Sequence, residues 1–431
     1  MYAETTMVLS IMVVVFALCS WKLKSPEISM VITAIAGAIA GGLGFPARLL
    51  VEGTFTYFDV GLIFLTASVF INFYSETGAM NALVRKMVEK YYSRKWVLFI
   101  ILTVVMLIPG ALTGAGSVSM FVVGGMVATV LRFMGIPDKR VVAFIYVTSM
   151  LAAVAPPINL WVMLMAAQAN MPYVGFELPL LAPVLLIAAF AIVYLLRGGT
   201  PDAKEKILEE LPAPVEGMNW FRILIPLLTF VVLILASKYA SFFIPTLGLP
   251  LIFLFCALLS IFVDPGKKGI SRWYAVLNNT MEQVFPLLAT VVSVGVLVNI
   301  MTATGVRGLI AITFVTLPVH LIFAFALIVL PLAQGSLSYS SAIILGTPLI
   351  FLFNSIGVNV TIVATALSFM FPLGDCLPPS RISGRVAVEV TGYQGSYMSF
   401  LRAIFVPALF MGLVALGMLI YANDFRWLIV Y

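Results

Sequence analysis

Residues 308–374 carry no Asp, Glu, Lys or Arg, and Asp375 follows them directly, three positions ahead of Pro378-Pro379. A carboxylate inside a membrane-length apolar segment costs about 2.5–3.5 kcal/mol, so such a group faces a cavity, an ion or a partner. Its chemistry would be to hold a cation or a proton. The competing reading is a structural ion pair with Arg381, six residues on. Arg381 itself offers a planar fork for a carboxylate ligand, or else anchors the end of a span. Two short stretches concentrate small and hydroxyl residues: Thr113, Gly114, Gly116, Ser117 and Ser119 after Pro109, and Gly335, Ser336, Ser338, Ser340 and Ser341 after Pro331. Hydroxyl and carbonyl oxygens are the ligands a hard cation requires; the alternative is that small residues merely let helices approach closely. Pro156-Pro157 and Pro378-Pro379 each remove backbone donors and free the carbonyls one turn earlier. Asn159, just beyond the first pair, can bind a ligand or pin the break.

Other chemistries lack their residues. Cys19, Cys256 and Cys376 have no metal-type spacing, and the sequence holds no His/Glu metal cluster, nucleophile–base pair or phosphate loop. An enzyme is not expected, and no cofactor is implied. The 24 Lys and Arg are dispersed rather than gathered in a basic stripe, which argues against nucleic acid as a partner.

The elements that must position these residues are apolar helices. Of 431 residues, 62% are hydrophobic and 10% charged, against about 25% charged in a soluble domain. The composition predicts an all-α polytopic membrane protein in a lipid bilayer. Most charge-free runs are one helix long, but 96–131 would rise about 54 Å, nearly twice the hydrocarbon thickness. That run and 308–374 must fold back, and the two Gly/Ser-rich stretches are the natural bends. We read both as re-entrant helical hairpins, at about 97–133 and 318–355, followed by broken helices at about 140–168 and 359–388. Residues 1–21 read as a first span rather than a signal peptide, since Glu4 replaces the basic start. Asn81–Lys95 and Ser271–Gln283 read as amphipathic arms along the interface. Trp96, Trp220, Trp273 and the lone His320 read as interfacial residues. A hydrophilic linker, 198–219, separates halves 1–197 and 220–431. If the first span runs inward, 20 of the 24 Lys and Arg fall inside and only Arg48, Lys238, Arg307 and Arg426 outside. That bias implies ten crossings plus two hairpins, with both termini outside.

Sliding the sequence by 222 positions aligns Pro109 with Pro331, Ser119 with Ser341, Gly135 with Gly357, and Pro156-Pro157 with Pro378-Pro379. These residues control backbone shape, so the halves read as a repeat. With the first hairpin entering from inside and the second from outside, the repeat is inverted. Paired discontinuous helices in inverted halves point to a transporter's midplane binding site.

Leu112-Thr113-Gly114-Ala115-Gly116-Ser117-Val118-Ser119, Ala155-Pro156-Pro157-Ile158-Asn159, Ile344-Leu345-Gly346-Thr347-Pro348 and Leu377-Pro378-Pro379-Ser380 resemble, in order and spacing, the hairpin and broken-helix motifs of the large membrane subunit of tripartite ATP-independent periplasmic (TRAP) transporters, within the ion-transporter superfamily. The resemblance implies an elevator-type permease of a bacterial-type inner membrane that imports an organic anion, usually a carboxylate, with sodium. It also implies two partners, a small four-helix membrane subunit and a periplasmic substrate-binding protein. Carried onto this chain, the cation would be held by Gly114, Gly116, Ser117, Ser119, Ala155, Ser336, Ser338, Ser340, Ser341 and Asp375. The anion would be held by Thr113, Asn159, Gly335, Ser380 and Arg381. One departure stands out: Ser338-Tyr339 replaces the family's Asp-Pro, and the acidic residue appears at Asp375 instead. Protons are therefore an alternative coupling ion. A stand-alone anion symporter or exchanger, or a channel, are the other readings.

Overall fold

The computed structural model describes residues 2–213, 215–239, 247–378 and 381–429. Among them all regular structure is helical, and nine helices are long and apolar enough to cross a membrane. Large apolar side chains such as Val13, Leu185, Phe262 and Phe405 point outward from the bundle, as a lipid-facing surface requires. The chain is a multi-pass membrane protein.

The helices sort into two packed groups. The first, a scaffold, comprises α1 (Tyr2–Leu23), α2 (Pro26–Ala40), α3 (Ala47–Phe55) and α4 (Phe58–Glu76) with three helices of the second half, α13 (Trp220–Tyr239), α14 (Leu249–Val263) and α15 (Ile270–Ala303). Ser25 caps α2 by accepting the Ile28 N–H, and Pro26 follows at the first helical position, where its missing donor costs nothing. α3 and α15 meet backbone to backbone: a Cβ on Gly295 would lie 2.4 Å from the Gly53 carbonyl oxygen. Small residues permit that approach.

α15 corrects one expectation. Ser271–Gln283 is not a separate arm but the first part of a single helix of 34 residues, about 51 Å long. No Gly or Pro interrupts the sequence until Pro286, which the helix absorbs. Trp273 likewise leaves the lipid surface. It is buried, its ring centre 5.2 Å from that of Phe73 on α4, and its indole N–H donates to the Lys268 carbonyl at 3.2 Å. Trp96 and Trp220 are exposed, as is His320.

The second group, a core, holds both Gly/Ser-rich stretches. In the first half it consists of α6 (Lys95–Thr113), α7 (Gly116–Ser119), a π-turn (Met120–Gly124), α8 (Gly125–Phe133), α9 (Asp138–Val154), α10 (Leu160–Ala169) and α11 (Glu177–Leu195). In the second half it consists of α17 (Val319–Leu337), a π-turn (Ala342–Gly346), α18 (Thr347–Ser355), α19 (Val360–Met370), α20 (Ile382–Thr391) and α21 (Tyr397–Ile420). The two π-turns, and the starts of α8 and α18, α9 and α19, α10 and α20, each stand 222 positions apart. The spacing of the shape-controlling residues is thus also the spacing of the elements.

Two short helices bridge the groups. α5 (Ala79–Tyr91) lies between α4, α6 and α13, and α16 (Val306–Thr316) between α1, α15 and α18. The hydrophilic linker is packed rather than free. It contains α12 (Lys204–Glu210), buries Ile207 and Leu211, and is tied to α5 by Arg85, whose Nη1 donates to the Leu208 carbonyl at 2.9 Å. Lys95 donates to the carbonyls of Gly198 and Gly199 from the foot of α6. Polar linker carbonyls thus find partners in basic residues of α5 and α6, which fixes the linker against the first half.

Candidate functional site

Both Gly/Ser-rich stretches reverse the chain. In the first, α6 ends at Gly114, whose φ of +72° is a left-handed conformation that suits glycine. The chain then returns through α7 against α6. Ser119 stitches the hairpin by accepting the Gly110 N–H on its Oγ at 2.7 Å, while the Thr113 hydroxyl donates to the Pro109 carbonyl at 2.8 Å. In the second, α17 ends at Ser338, with φ +52°. The Ser341 hydroxyl reaches both the Ser338 carbonyl and Gln334 Oε1 at 2.7 Å. Ser119 and Ser341, aligned by the repeat, therefore do the same local work.

The helix breaks lie beside these tips. Between α9 and α10 the chain is extended at Ala155, and the Ile158 N–H donates to the Ala111 carbonyl on the first hairpin at 3.1 Å. Asn159 is fully buried and its amide is fully used: Oδ1 accepts the Val162 N–H, and Nδ2 donates to the Val154 carbonyl at 3.2 Å and to Ser368 Oγ on α19 at 2.9 Å. It pins the break and ties the two broken helices together, leaving no free polar atom for a ligand. Pro156 and Pro157 border a cleft of about 400 Å³ against α13 and α14, lined mainly by apolar residues with Tyr173, Glu177 and Ser237. The second break is longer, running through a 3₁₀ turn (Phe371–Gly374) to Arg381, which precedes α20. Pro379 and Ser380, expected here as a helix break and a ligand contact, lie outside the described residues. Gly374 packs so closely on α17 that a Cβ would stand 1.8 Å from the Pro331 carbonyl oxygen, and one on Gly116 would stand 2.3 Å from the Ser149 carbonyl oxygen. Gly374→Ala and Gly116→Ala are each expected to lower stability by about 1–3 kcal/mol or more. Gly417→Ala on α21, where nothing lies within 4 Å, should leave the melting temperature of the purified protein unchanged or slightly raised.

One residue that sequence reasoning did not weigh holds these parts together. Gln334 on α17 is buried; its Oε1 accepts from the Trp161 indole N–H of α10 at 3.1 Å and from Ser341, and its Nε2 donates to Asp375 Oδ1 at 2.9 Å. A single amide thus joins the first broken helix, both arms of the second hairpin and the second break. Its only mark in the sequence is a polar side chain within a charge-free apolar run, a weaker signal than the charge of Asp375. The two tips also touch. Tyr339 donates to the Gly114 carbonyl at 3.4 Å and lies 4.8 Å, ring centre to ring centre, from Trp161. Tyr146 on α9 donates to the Pro372 carbonyl at 3.3 Å.

Other expected residues fall differently. Asp375 and Arg381 form no ion pair among the described residues; the Arg381 guanidinium instead lies 5.4 Å from the centre of the Tyr397 ring, held there by the left-handed turn that starts α20. Ser336 is exposed and donates only to the Leu332 carbonyl one turn back, because helical spacing from Gln334 turns it to the opposite face. Ser340 is buried against Met30 of the scaffold, its Oγ 3.4 Å from the Met30 sulfur. Ser117 and Ser338 are half-buried, one at each tip, and neither hydroxyl has a hydrogen-bond partner among the described residues. Gly335 packs closely against the second break. A Cβ placed there would lie 3.2 Å from the Gly374 and Pro378 carbonyl oxygens and 3.5 Å from that of Leu377, so three carbonyls of the second break converge on Gly335.

Two hairpins whose tips meet two interrupted helices, packed on a separate helical scaffold, define a membrane-transporter fold. The YdaH transporter of Alcanivorax borkumensis, whose topology is described as unusual, shares it with a TM-score of 0.65 at 14% identity, over 88% of this chain and 89% of that one. MtrF of Neisseria gonorrhoeae, from a class of antimetabolite efflux pumps, shares it with a TM-score of 0.62 at 12% identity, over 87% and 83%. No protein-family model matches the chain, and no curated protein matches its sequence. The likeness establishes an all-helical transporter fold and is not specific to tripartite permeases.

Proposed function

We propose that this chain is a secondary active transporter permease that moves a small organic anion, a carboxylate by preference, coupled to sodium. The observation that carries the reading is the convergence of the carbonyls of Gly374, Leu377 and Pro378 on Gly335, the residue next to the Gln334 that holds the Asp375 carboxylate. One negative charge and three carbonyl dipoles in a low-dielectric site suit a hard cation with oxygen ligands. The proton is the alternative ion, since a lone carboxylate can carry one. The unpartnered Ser117 and Ser338 hydroxyls, flanking the contact between the tips, are the groups left to meet the anion. The cleft at Pro156-Pro157 is a poor anion site, being apolar and bordered by Glu177. The elements repeated at 222 positions, together with the bias of basic residues, support inverted halves with both termini outside. They also support an elevator in which the core moves past the scaffold. The motif resemblance to tripartite permeases supports import through an inner membrane with a small four-helix subunit and a periplasmic binding protein.

A second reading, a stand-alone carrier, is favoured by one observation: this chain alone spans 89% and 83% of the two solved transporters. Export belongs with that reading, as MtrF is an efflux pump. Reconstitution of the purified chain in proteoliposomes, with a panel of labelled carboxylates and imposed sodium or proton gradients, tests both. Sodium-driven accumulation that requires an added binding protein supports the tripartite reading, and accumulation by the chain alone supports the second. Flux that never saturates and ignores both gradients would sink both.

A further inference from the structure

An elevator needs its core to be held in place and then released, and the polar contacts across the seam between scaffold and core are few. α4 lies along α6 and α10, and α16 along α18, mostly through apolar contacts that can slide. Almost every side-chain hydrogen bond between described helices stays within the scaffold or within the core. Two crossing interactions converge on a single core residue, Gln168, in the last turn of α10. From the scaffold side, Tyr57 at the start of α4 places its hydroxyl on the Gln168 side-chain amide. From the bridging helix α16, Arg307 donates through Nη2 to the Gln168 backbone carbonyl at 2.9 Å. A guanidinium can only donate, so the amide must turn its oxygen to Arg307. In that orientation Oε1 accepts from Nη1 at 2.6 Å and Nε at 3.1 Å, and Nε2 donates to the Tyr57 hydroxyl. The Arg307 guanidinium also lies 5.6 Å from the ring centre of Phe351 on α18, so it grips the core at two helices. Tyr57 and Gln168 are buried and Arg307 half-buried, and Arg307 forms no salt bridge among the described residues. The other crossing contact of this kind is the weak one between Ser340 and the Met30 sulfur.

We propose that Tyr57, Arg307 and Gln168 form a latch that holds the core in the position seen here and must open for the core to move. The inference rests on the transport reading, because only a carrier of that kind needs its core to slide. In the orientation set by the basic residues, the latch lies at the outer end of the seam. A neutral amide suits the task. It satisfies a donor-only cation and a phenol together, yet releases both to water without separating an ion pair. Charge-assisted hydrogen bonds of this kind are worth more than neutral ones, and sliding apolar contacts supply no such fixed register.

The test uses the full-length protein in liposomes with Cys19, Cys256 and Cys376 replaced by serine, and a reporter pair, Met30→Cys with Ser340→Cys, across the seam. Copper phenanthroline, which oxidises two thiols in contact to a disulfide, then reads as cross-linking how often the core occupies this position. Gln168→Leu and Arg307→Ala are each expected to slow cross-linking about fivefold, and Arg307→Lys less, as the loss of one or two charged hydrogen bonds predicts. Cross-linking at the parent rate in both of the first two variants overturns the latch. If Gln168→Leu fails to fold, as judged by its melting temperature, Arg307→Ala decides alone. Anion uptake by the protein without the reporter cysteines separates the two ideas. Unchanged cross-linking with gradient-driven uptake rejects the latch and keeps the carrier. Slowed cross-linking without uptake of any anion supports the latch and counts against the carrier.

Discussion

Asp375→Asn is expected to abolish ion-driven accumulation of the anion while leaving the protein folded in the membrane. Asparagine keeps the size of the side chain and an oxygen that still accepts the Gln334 Nε2–H, now 2.9 Å from Asp375 Oδ1. What it loses is the negative charge of the second break, which also supplies the Gly374, Leu377 and Pro378 carbonyls. Carbonyl dipoles alone hold a cation weakly, and removing one partner of a buried charged interaction costs about 3–5 kcal/mol. Coupled uptake should therefore fall by about 100-fold or more, whereas the melting temperature of the purified variant should stay close to that of the parent. Uptake at the parent rate under an imposed sodium or proton gradient would falsify the ion-binding role. Asp375 has no ion pair with Arg381 whose loss could mimic the effect, so Arg381→Gln, which alters only the packing on Tyr397, serves as the comparison and should retain coupling.

Gln334→Leu is expected to destabilise the core strongly. Leucine is similar in volume, so no cavity is expected. However, the Trp161 indole N–H loses its partner, Asp375 keeps only its hydrogen bond with Ser383, and Ser341 loses one of two. Trp161 is fully buried, so water cannot replace the bond. An unpaired buried donor costs about 1–3 kcal/mol and a lost hydrogen bond to a charged group about 1.5–3 kcal/mol, so the cost is about 3–5 kcal/mol. Ser341→Ala removes one of these bonds and should cost about 1 kcal/mol. Because both substitutions break the Ser341–Gln334 bond, the double variant should cost less than their sum. Additive losses in thermal or denaturant unfolding would show that the bond contributes nothing.

The contrast between these residues marks how far the site was legible beforehand. Asp375 announces itself in the sequence because a charge within an apolar run has no cheap explanation. Gln334 is almost as costly to bury, yet amides are common enough that the sequence gives no reason to choose it until Trp161, Ser341 and Asp375 are seen around it. Ser336 shows the reverse. It has the right residue type in the right stretch, but two residues along a helix from Gln334 is the opposite face, and the side chain points outward. Asn159 stood between two roles, and the packing of α19 against the break assigns it to the structural one through Ser368. Gln168 and Arg307 sit 139 residues apart, and nothing local to either suggests their contact.

Apolar content, the length of uninterrupted runs, and Pro, Gly and Ser at a constant offset were enough to determine that the chain is a helical membrane protein with two fold-back segments and two interrupted helices. Those features follow from the backbone's own demands: a helix too long for the bilayer must turn, and proline cannot donate the bond that would continue it. Which side chains meet was decided only by the tertiary structure. Helix faces are chosen by packing against partners far away in sequence, so the meeting of the tips, the unbroken length of α15, the separation of Arg381 from Asp375 and the grip of Arg307 on Gln168 exist only once the two halves close on each other.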